Sequence, residues 1–246
     1  MNSSVNTTNG KIKPSERIFV ALDTPDIKHA LNLAQSLKGL VGGLKLGKEF
    51  FTSLGPEGAK QITALGMPIF LDLKYHDIPN TVAGAVRSAL GLNPFILNVH
   101  ASGGRAMMEA AARAADEAGP NRPLVIAVTV LTSMNRNDLS EVGIDVEPIE
   151  HVMRLARLAK DSGLDGVVCS AKEVVALRGN VGPDFKLVVP GIRPEWASKD
   201  DQKRVVTPRD AIDLGADYLV IGRPITAAND PAEAARRIVA ELSDEQ

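Results

Sequence analysis

From Arg17 onward the sequence alternates short apolar, β-branched runs with longer stretches of helical periodicity, and the alternation repeats eight times. The strand-like runs are Ile18 to Leu22, Gly43 to Leu46, Pro68 to Leu73, Phe95 to Val99, Leu124 to Leu131, Gly166 to Cys169, Lys186 to Val189 and Tyr218 to Ile221. Each is mostly apolar, as strands buried on both faces must be. Helical stretches lie between them, among them Ile27 to Leu37, Gly104 to Glu117, Pro148 to Ser162 and Ala232 to Glu241, with glycine or proline near many boundaries. Strict β-α alternation demands parallel strands joined by right-handed crossovers, in an open doubly wound sheet or a closed barrel. An open sheet usually carries a glycine-rich phosphate turn after its first strand, whereas here that strand runs into Leu22-Asp23-Thr24-Pro25. Eight units in 246 residues therefore point to one (β/α)8 barrel, an α/β fold whose site forms at the C-terminal ends of the strands. The barrel is expected to span residues 17–246, preceded by a flexible polar tail, residues 1–16.

The charge balance limits what such a barrel can bind. With 28 basic and 30 acidic side chains the net charge is −2, so no overall field draws the chain to nucleic acid or to an anionic membrane, and anion recognition must be local. No apolar run approaches the roughly 20 residues of a membrane span, and the polar opening lacks the apolar core of a signal peptide. The one cysteine, Cys169, rules out an internal disulfide, and its apolar neighbours suit a buried thiol. A cytoplasmic enzyme fits best.

Polar residues gather where the strands end. The first strand ends at Asp23, the second carries Lys45, the third Asp72 and Lys74, the fourth ends at Asn98 and His100, and the fifth at Thr132. In a barrel all of these converge on one mouth. The most heavily charged stretch is FLDLKYHDIPNT, residues 70–81. Alternation puts Asp72 and Lys74 on one face of the strand and Leu71 and Leu73 on the other. Burying an ammonium and a carboxylate together is costly unless each is paired, so the pair needs a reason beyond packing. Asp77 follows, and by itself could be a capping carboxylate ahead of Pro79. The last two units supply Pro190-Gly191-Ile192-Arg193 and Ile221-Gly222-Arg223-Pro224-Ile225. In barrels these two loops often bind phosphate, through amides beside glycine and through arginine.

The run DLKYHDIPNT resembles the signature of the orotidine 5′-phosphate decarboxylase family. The resemblance extends through Val20-Ala21-Leu22-Asp23, Lys45, Leu131-Thr132-Ser133 and both glycine-arginine segments, and so over essentially the whole globular chain. It implies a decarboxylase that converts orotidine 5′-phosphate to uridine 5′-phosphate and carbon dioxide in pyrimidine biosynthesis, with no cofactor and no metal. Its ligand is then a nucleoside monophosphate. On that resemblance Lys74 is the catalytic lysine and Asp72 faces the departing carboxylate. Asp77 reaches into the partner subunit's site, which makes a homodimer with shared sites. Asp23 and Lys45 hold the ribose hydroxyls, with Lys45 also in the charged array, and Thr132 lies near the pyrimidine. Ile78 and Thr81 of the same signature complete the substrate set, while Arg193, Gln202, Gly222 and Arg223 bind phosphate or close the loop over it.

Other readings share these residues. A magnesium-dependent phosphosugar decarboxylase of the same superfamily uses the same Asp-x-Lys-x-x-Asp core but needs a further carboxylate, and Glu49 stands a full turn into the next helix. A Schiff-base aldolase would use Lys74 as a nucleophile, which flanking carboxylates oppose by favouring the charged form. A nucleotide-binding barrel without turnover would display the same charges. His29, His76 and His151 show no metal spacing, and His100 reads as structural. The helix Gly104 to Glu117 reads as packing surface or subunit interface, and Trp196 as a fluorescent reporter within the phosphate loop.

Overall fold

The computed structural model describes residues 12–197 and 206–243. Eight parallel strands, β1 (Ile18–Ala21), β2 (Gly43–Leu46), β3 (Ile69–Tyr75), β4 (Ile96–His100), β5 (Leu124–Val128), β6 (Gly166–Val168), β7 (Lys186–Pro190) and β8 (Tyr218–Ile221), close in chain order into a barrel. The ring is sealed by β1 against β8, with Phe19 opposite Val220. Outside lie α1 (Ile27–Leu37), α2 (Lys48–Thr63), α3 (Pro79–Leu90), α4 (Arg105–Asp116), α5 (Arg136–Glu141), α6 (Pro148–Asp161), α7 (Val174–Val181), α8 (Pro208–Asp213), α9 (Arg223–Thr226) and α10 (Pro231–Ser243). The fold is the (β/α)8 barrel expected. No helix among the described residues is long and apolar enough to cross a membrane.

Alternation along the strands divides the core in two. Outward residues such as Ile18, Val20, Leu44, Leu46, Ile69, Leu71, Leu97 and Val99 are buried beneath the helices. Inward residues Phe19, Phe70, Ile96, Ile126, Val188 and Tyr218 fill the barrel itself. At its N-terminal end the rings of Phe19 and Tyr218 meet edge to face at 5.6 Å, and Phe19 stacks on Phe95 at 5.9 Å. Such pairs each add about 0.5–1.5 kcal/mol beyond the area they bury. Gly43 leaves room for this floor, since a Cβ there would lie 2.5 Å from the Phe19 ring.

Charged side chains brace the same end. The Asp217 carboxylate, just ahead of β8, accepts the Leu187 N–H at 2.8 Å and the Arg178 guanidinium at 2.6 Å. Arg178 also donates to the carbonyls of Gly182, Phe185 and Gly215. Asp165, just ahead of β6, repeats the device with the Val125 N–H and Arg122, each at 2.7 Å. Backbone groups at the strand entrances are thereby paired rather than left to be buried unsatisfied.

Most elements begin and end within two residues of the bounds read in the sequence, with larger differences at two places. β5 ends at Val128 instead of continuing to Leu131, because the buried Thr129 hydroxyl donates to the Val168 carbonyl and the chain leaves the sheet there. The connection 132–144 contains α5, which starts at a capping box formed by Asn135 and Asp138. Of the segment expected to be a tail, residues 1–11 lie outside the described residues. Ile12 packs against the barrel floor, and Ser15–Arg17 form a 3-10 turn.

Candidate active site

One layer above the aromatic floor, the inward positions change from apolar to charged. On β2 the inward series is Gly43 then Lys45, on β3 Phe70 then Asp72, and on β4 Ile96 then Asn98. Lys45 and Asp72 are buried among them and Asn98 is fully so. The Asp72 carboxylate is the hub. Its Oδ1 accepts from Lys74 Nζ at 2.6 Å and from Asn98 Nδ2 at 2.7 Å, and its Oδ2 lies 3.4 Å from Lys45 Nζ. Lys45 Nζ lies 3.3 Å from Asp23 Oδ1, so Asp23, Lys45, Asp72 and Lys74 form an unbroken chain of alternating charge. Gly47 keeps space for it, as a Cβ there would lie 2.9 Å from Lys45 Nζ.

Lys74 and Asp72 meet as the sequence implies, but by a different route. Regular alternation holds through Asp72; the register against β4 then shifts between Leu71 and Tyr75. Lys74 itself has φ of 56°, in the left-handed region. For a lysine that conformation costs about 1–3 kcal/mol and persists only where neighbours enforce it. Asn98 does so, its Oδ1 accepting the Lys74 N–H at 2.8 Å while its amide nitrogen holds Asp72. One buried amide thus fixes both the backbone of the lysine and the rotamer of the aspartate. Asn98 was legible as a strand-end polar residue, but nothing in the sequence revealed this double hold.

Asp77 does not join the chain. It forms no ion pair with Lys74, and its Oδ1 accepts the N–H of the next residue, Ile78, at 2.6 Å. It does not cap α3 either, whose N-cap is Ile78 with no side-chain bond. Residues 76–81 are all exposed, including Thr81, and Ile78 is 67% exposed. Thr132 lies exposed in the loop after β5. His100 lines the mouth beside His76, ring centroids 5.4 Å apart. Burial pushes the His100 pKa down, and the positive charges of His76, Lys48 and Lys74 push it the same way against Asp72.

At the other side of the mouth, Arg193 after β7 and Arg223 after β8 line a common cavity of about 230 Å³, with Trp196 in its wall. Arg193 is buried and Arg223 exposed. Gly222 immediately precedes α9 as its N-cap. Gln202 lies outside the described residues. Among the described residues no group of three His, Cys, Asp or Glu side chains could hold a metal ion. Cys169 is fully buried, and burial pushes its thiol pKa far up, so it takes no part.

A closed parallel barrel with a polarised mouth at its C-terminal rim defines a (β/α)8-barrel enzyme. Residues 16–238 match the family described as orotidine 5′-phosphate decarboxylase / HUMPS. The orotidine 5′-phosphate decarboxylase of Paramagnetospirillum magneticum is 56% identical over 229 residues, 92% of this chain and 97% of that one. The enzyme of the same name from Psychromonas ingrahamii is 54% identical over 222 residues, 90% of this chain and 95% of that one. Among solved structures, orotidine 5′-phosphate decarboxylase from Lactobacillus acidophilus superposes with a TM-score of 0.83 at 37% identity, covering 92% of this chain and 99% of that one. The chain belongs to the orotidine 5′-phosphate decarboxylase family, whose named relatives here are carboxy-lyases.

Proposed function

We propose that this chain converts orotidine 5′-phosphate to uridine 5′-phosphate and carbon dioxide without a cofactor, with Lys74 as the catalytic group. The observation that carries the reading is the charge chain Asp23, Lys45, Asp72, Lys74, set into the barrel mouth above an apolar floor. Breaking the bond between C6 and its carboxylate leaves an electron pair in the ring plane, which the pyrimidine π system cannot delocalise. An ammonium placed at C6 offsets that charge as it develops and then supplies the proton that completes the product, regaining one from water. Asp72 serves this in two ways. It aims the Lys74 ammonium, and it faces the substrate carboxylate, where like charges about 4 Å apart repel by roughly 4 kcal/mol at an effective dielectric of 20. Departure of neutral carbon dioxide removes that repulsion.

Asp23 and Lys45 form the polar edge that would receive the ribose hydroxyls, with Thr132 toward the pyrimidine. Arg193 and Arg223, with the amides beside Gly222, would take the phosphate; binding energy from that remote group can serve the reacting centre. The exposed run 76–81 supports a homodimer in which Asp77, Ile78 and Thr81 complete the partner's site: an apolar side chain as exposed as Ile78, next to a carboxylate that has no ion pair with its own Lys74, suits a surface that a second subunit covers. A cytoplasmic location belongs to the same proposal and rests on a chain whose one thiol is buried and unpaired.

An ultraviolet assay tests it. Orotidine 5′-phosphate should lose absorbance steadily with the parent protein, with or without chelator, and not with Lys74→Ala. Binding of the nucleotide with no change in absorbance would leave a barrel that only binds, and loss of turnover on chelation would favour the metal-dependent relative.

A further inference from the structure

Trp196 is the single tryptophan of the chain, and it touches both sides of a boundary. On one side it lines the cavity of about 230 Å³ shared by Arg193 and Arg223. On the other it lines a larger pocket with Arg209, Arg237 and Glu241. Its indole N–H donates to Glu241 Oε1 at 2.7 Å, and the Arg237 guanidinium sits 4.5 Å above its ring. Both partners belong to α10, the last helix, which carries none of the candidate site residues. Arg193 lies three positions before Trp196 in the same short segment, whose backbone is closed by two bonds, Arg193 N–H to Val206 O at 3.3 Å and Ala197 N–H to Pro194 O at 3.1 Å.

We propose that Trp196, clamped between Arg237 and Glu241, is a positioning residue that fixes Arg193 opposite Arg223 for a phosphate group. An indole held by a charge-assisted hydrogen bond at its edge and a cation on its face has little rotational freedom. The turn that bears it inherits that rigidity, and a guanidinium whose backbone is fixed loses less entropy when it grips an anion bidentately. A helix that carries none of the charged cluster thereby sets affinity for the remote end of the substrate. The inference rests on the phosphate reading above, and its test separates the two.

Steady-state rates are measured with orotidine 5′-phosphate and with orotidine, which lacks the phosphate, for the parent, Trp196→Phe, Glu241→Ala and Glu241→Gln. Trp196→Phe keeps a ring while losing the N–H, and neither Glu241 variant opens the core. Trp196→Phe and Glu241→Ala are expected to raise KM for the phosphorylated substrate roughly tenfold at nearly constant kcat, the mark of lost uniform binding. They should leave the slow reaction of orotidine unchanged, and Glu241→Gln, whose amide oxygen still accepts, should restore most of the KM. Inorganic phosphate should also shift the Trp196 fluorescence of the parent and not that of Arg193→Ala. A parent that handles both substrates with equal kcat/KM removes the phosphate reading and this proposal with it. A parent that prefers the phosphate ester, with variants that keep its KM or lose both substrates equally, overturns the proposal alone.

Discussion

Both ends of the barrel hold charged side chains against the strands, yet the charges bond to different things. At the floor, Asp217 and Asp165 accept backbone N–H groups of Leu187 and Val125, and Arg178 donates to the carbonyls of Gly182, Pro183, Phe185 and Gly215. At the mouth, Asp23, Lys45, Asp72 and Lys74 bond to one another, and the main chain is engaged there through Asn98. Floor charges complete hydrogen bonds that the sheet leaves open where its strands begin. Mouth charges pair with one another and, through Asp72, with the Asn98 amide, which keeps them together in a place where a substrate can reach them. The floor carboxylates are ion-paired too, but each also holds a backbone N–H and so serves folding, whereas charges that hold one another and leave the backbone alone are, on the proposed function, the ones that serve chemistry.

The widest gap between the two ends should appear with Lys74→Ala. It should lower kcat by roughly a thousandfold or more, the scale of combined acid and electrostatic catalysis, while Asp72 keeps Lys45 and Asn98 and the melting curve barely moves. A collapsed melting curve would erase the distinction. Asp217→Ala should do the reverse. It leaves Arg178 and the Leu187 N–H without their carboxylate, and urea unfolding should show a loss of about 3 kcal/mol with kcat of the folded protein intact.

A mixture of Lys74→Ala and Asp77→Ala proteins, each inactive, sharpens the account of the mouth. If sites are shared, one site of each mixed dimer is whole, and random mixing should restore roughly a quarter of parental activity. Mixed dimers with no activity would return Asp77 to an ordinary surface role. The smallest effect concerns pH. Burial holds the His100 pKa below its ordinary 6.5, so as pH falls through that value the unfolded chain takes up a proton the folded chain resists. Stability should then drop with pH, and faster than in His100→Asn, as paired denaturation curves would show.

The fold was legible because burial on both faces leaves strands almost without polar residues. Gly43–Leu46 and Tyr218–Ile221 begin and end where their sequence patterns do. The fifth strand was over-extended since Thr129, Val130 and Leu131 have strand-like side chains, and only the hydroxyl's bond to Val168, from another strand, ends the pairing. The charged members of the site were legible as inward positions that packing could not explain. The left-handed turn at Lys74 was not, because it depends on an asparagine on the neighbouring strand, and the link from Trp196 to α10 was hidden by the distance along the chain to Glu241.

The aromatic plug of Phe19, Phe95 and Tyr218 has a bearing on traffic. With the far end stoppered by rings in edge and face contact, the barrel is a cup rather than a pipe. Whatever enters at the rim must leave by the rim, so released gas has to escape past the nucleotide that produced it or wait until that nucleotide departs.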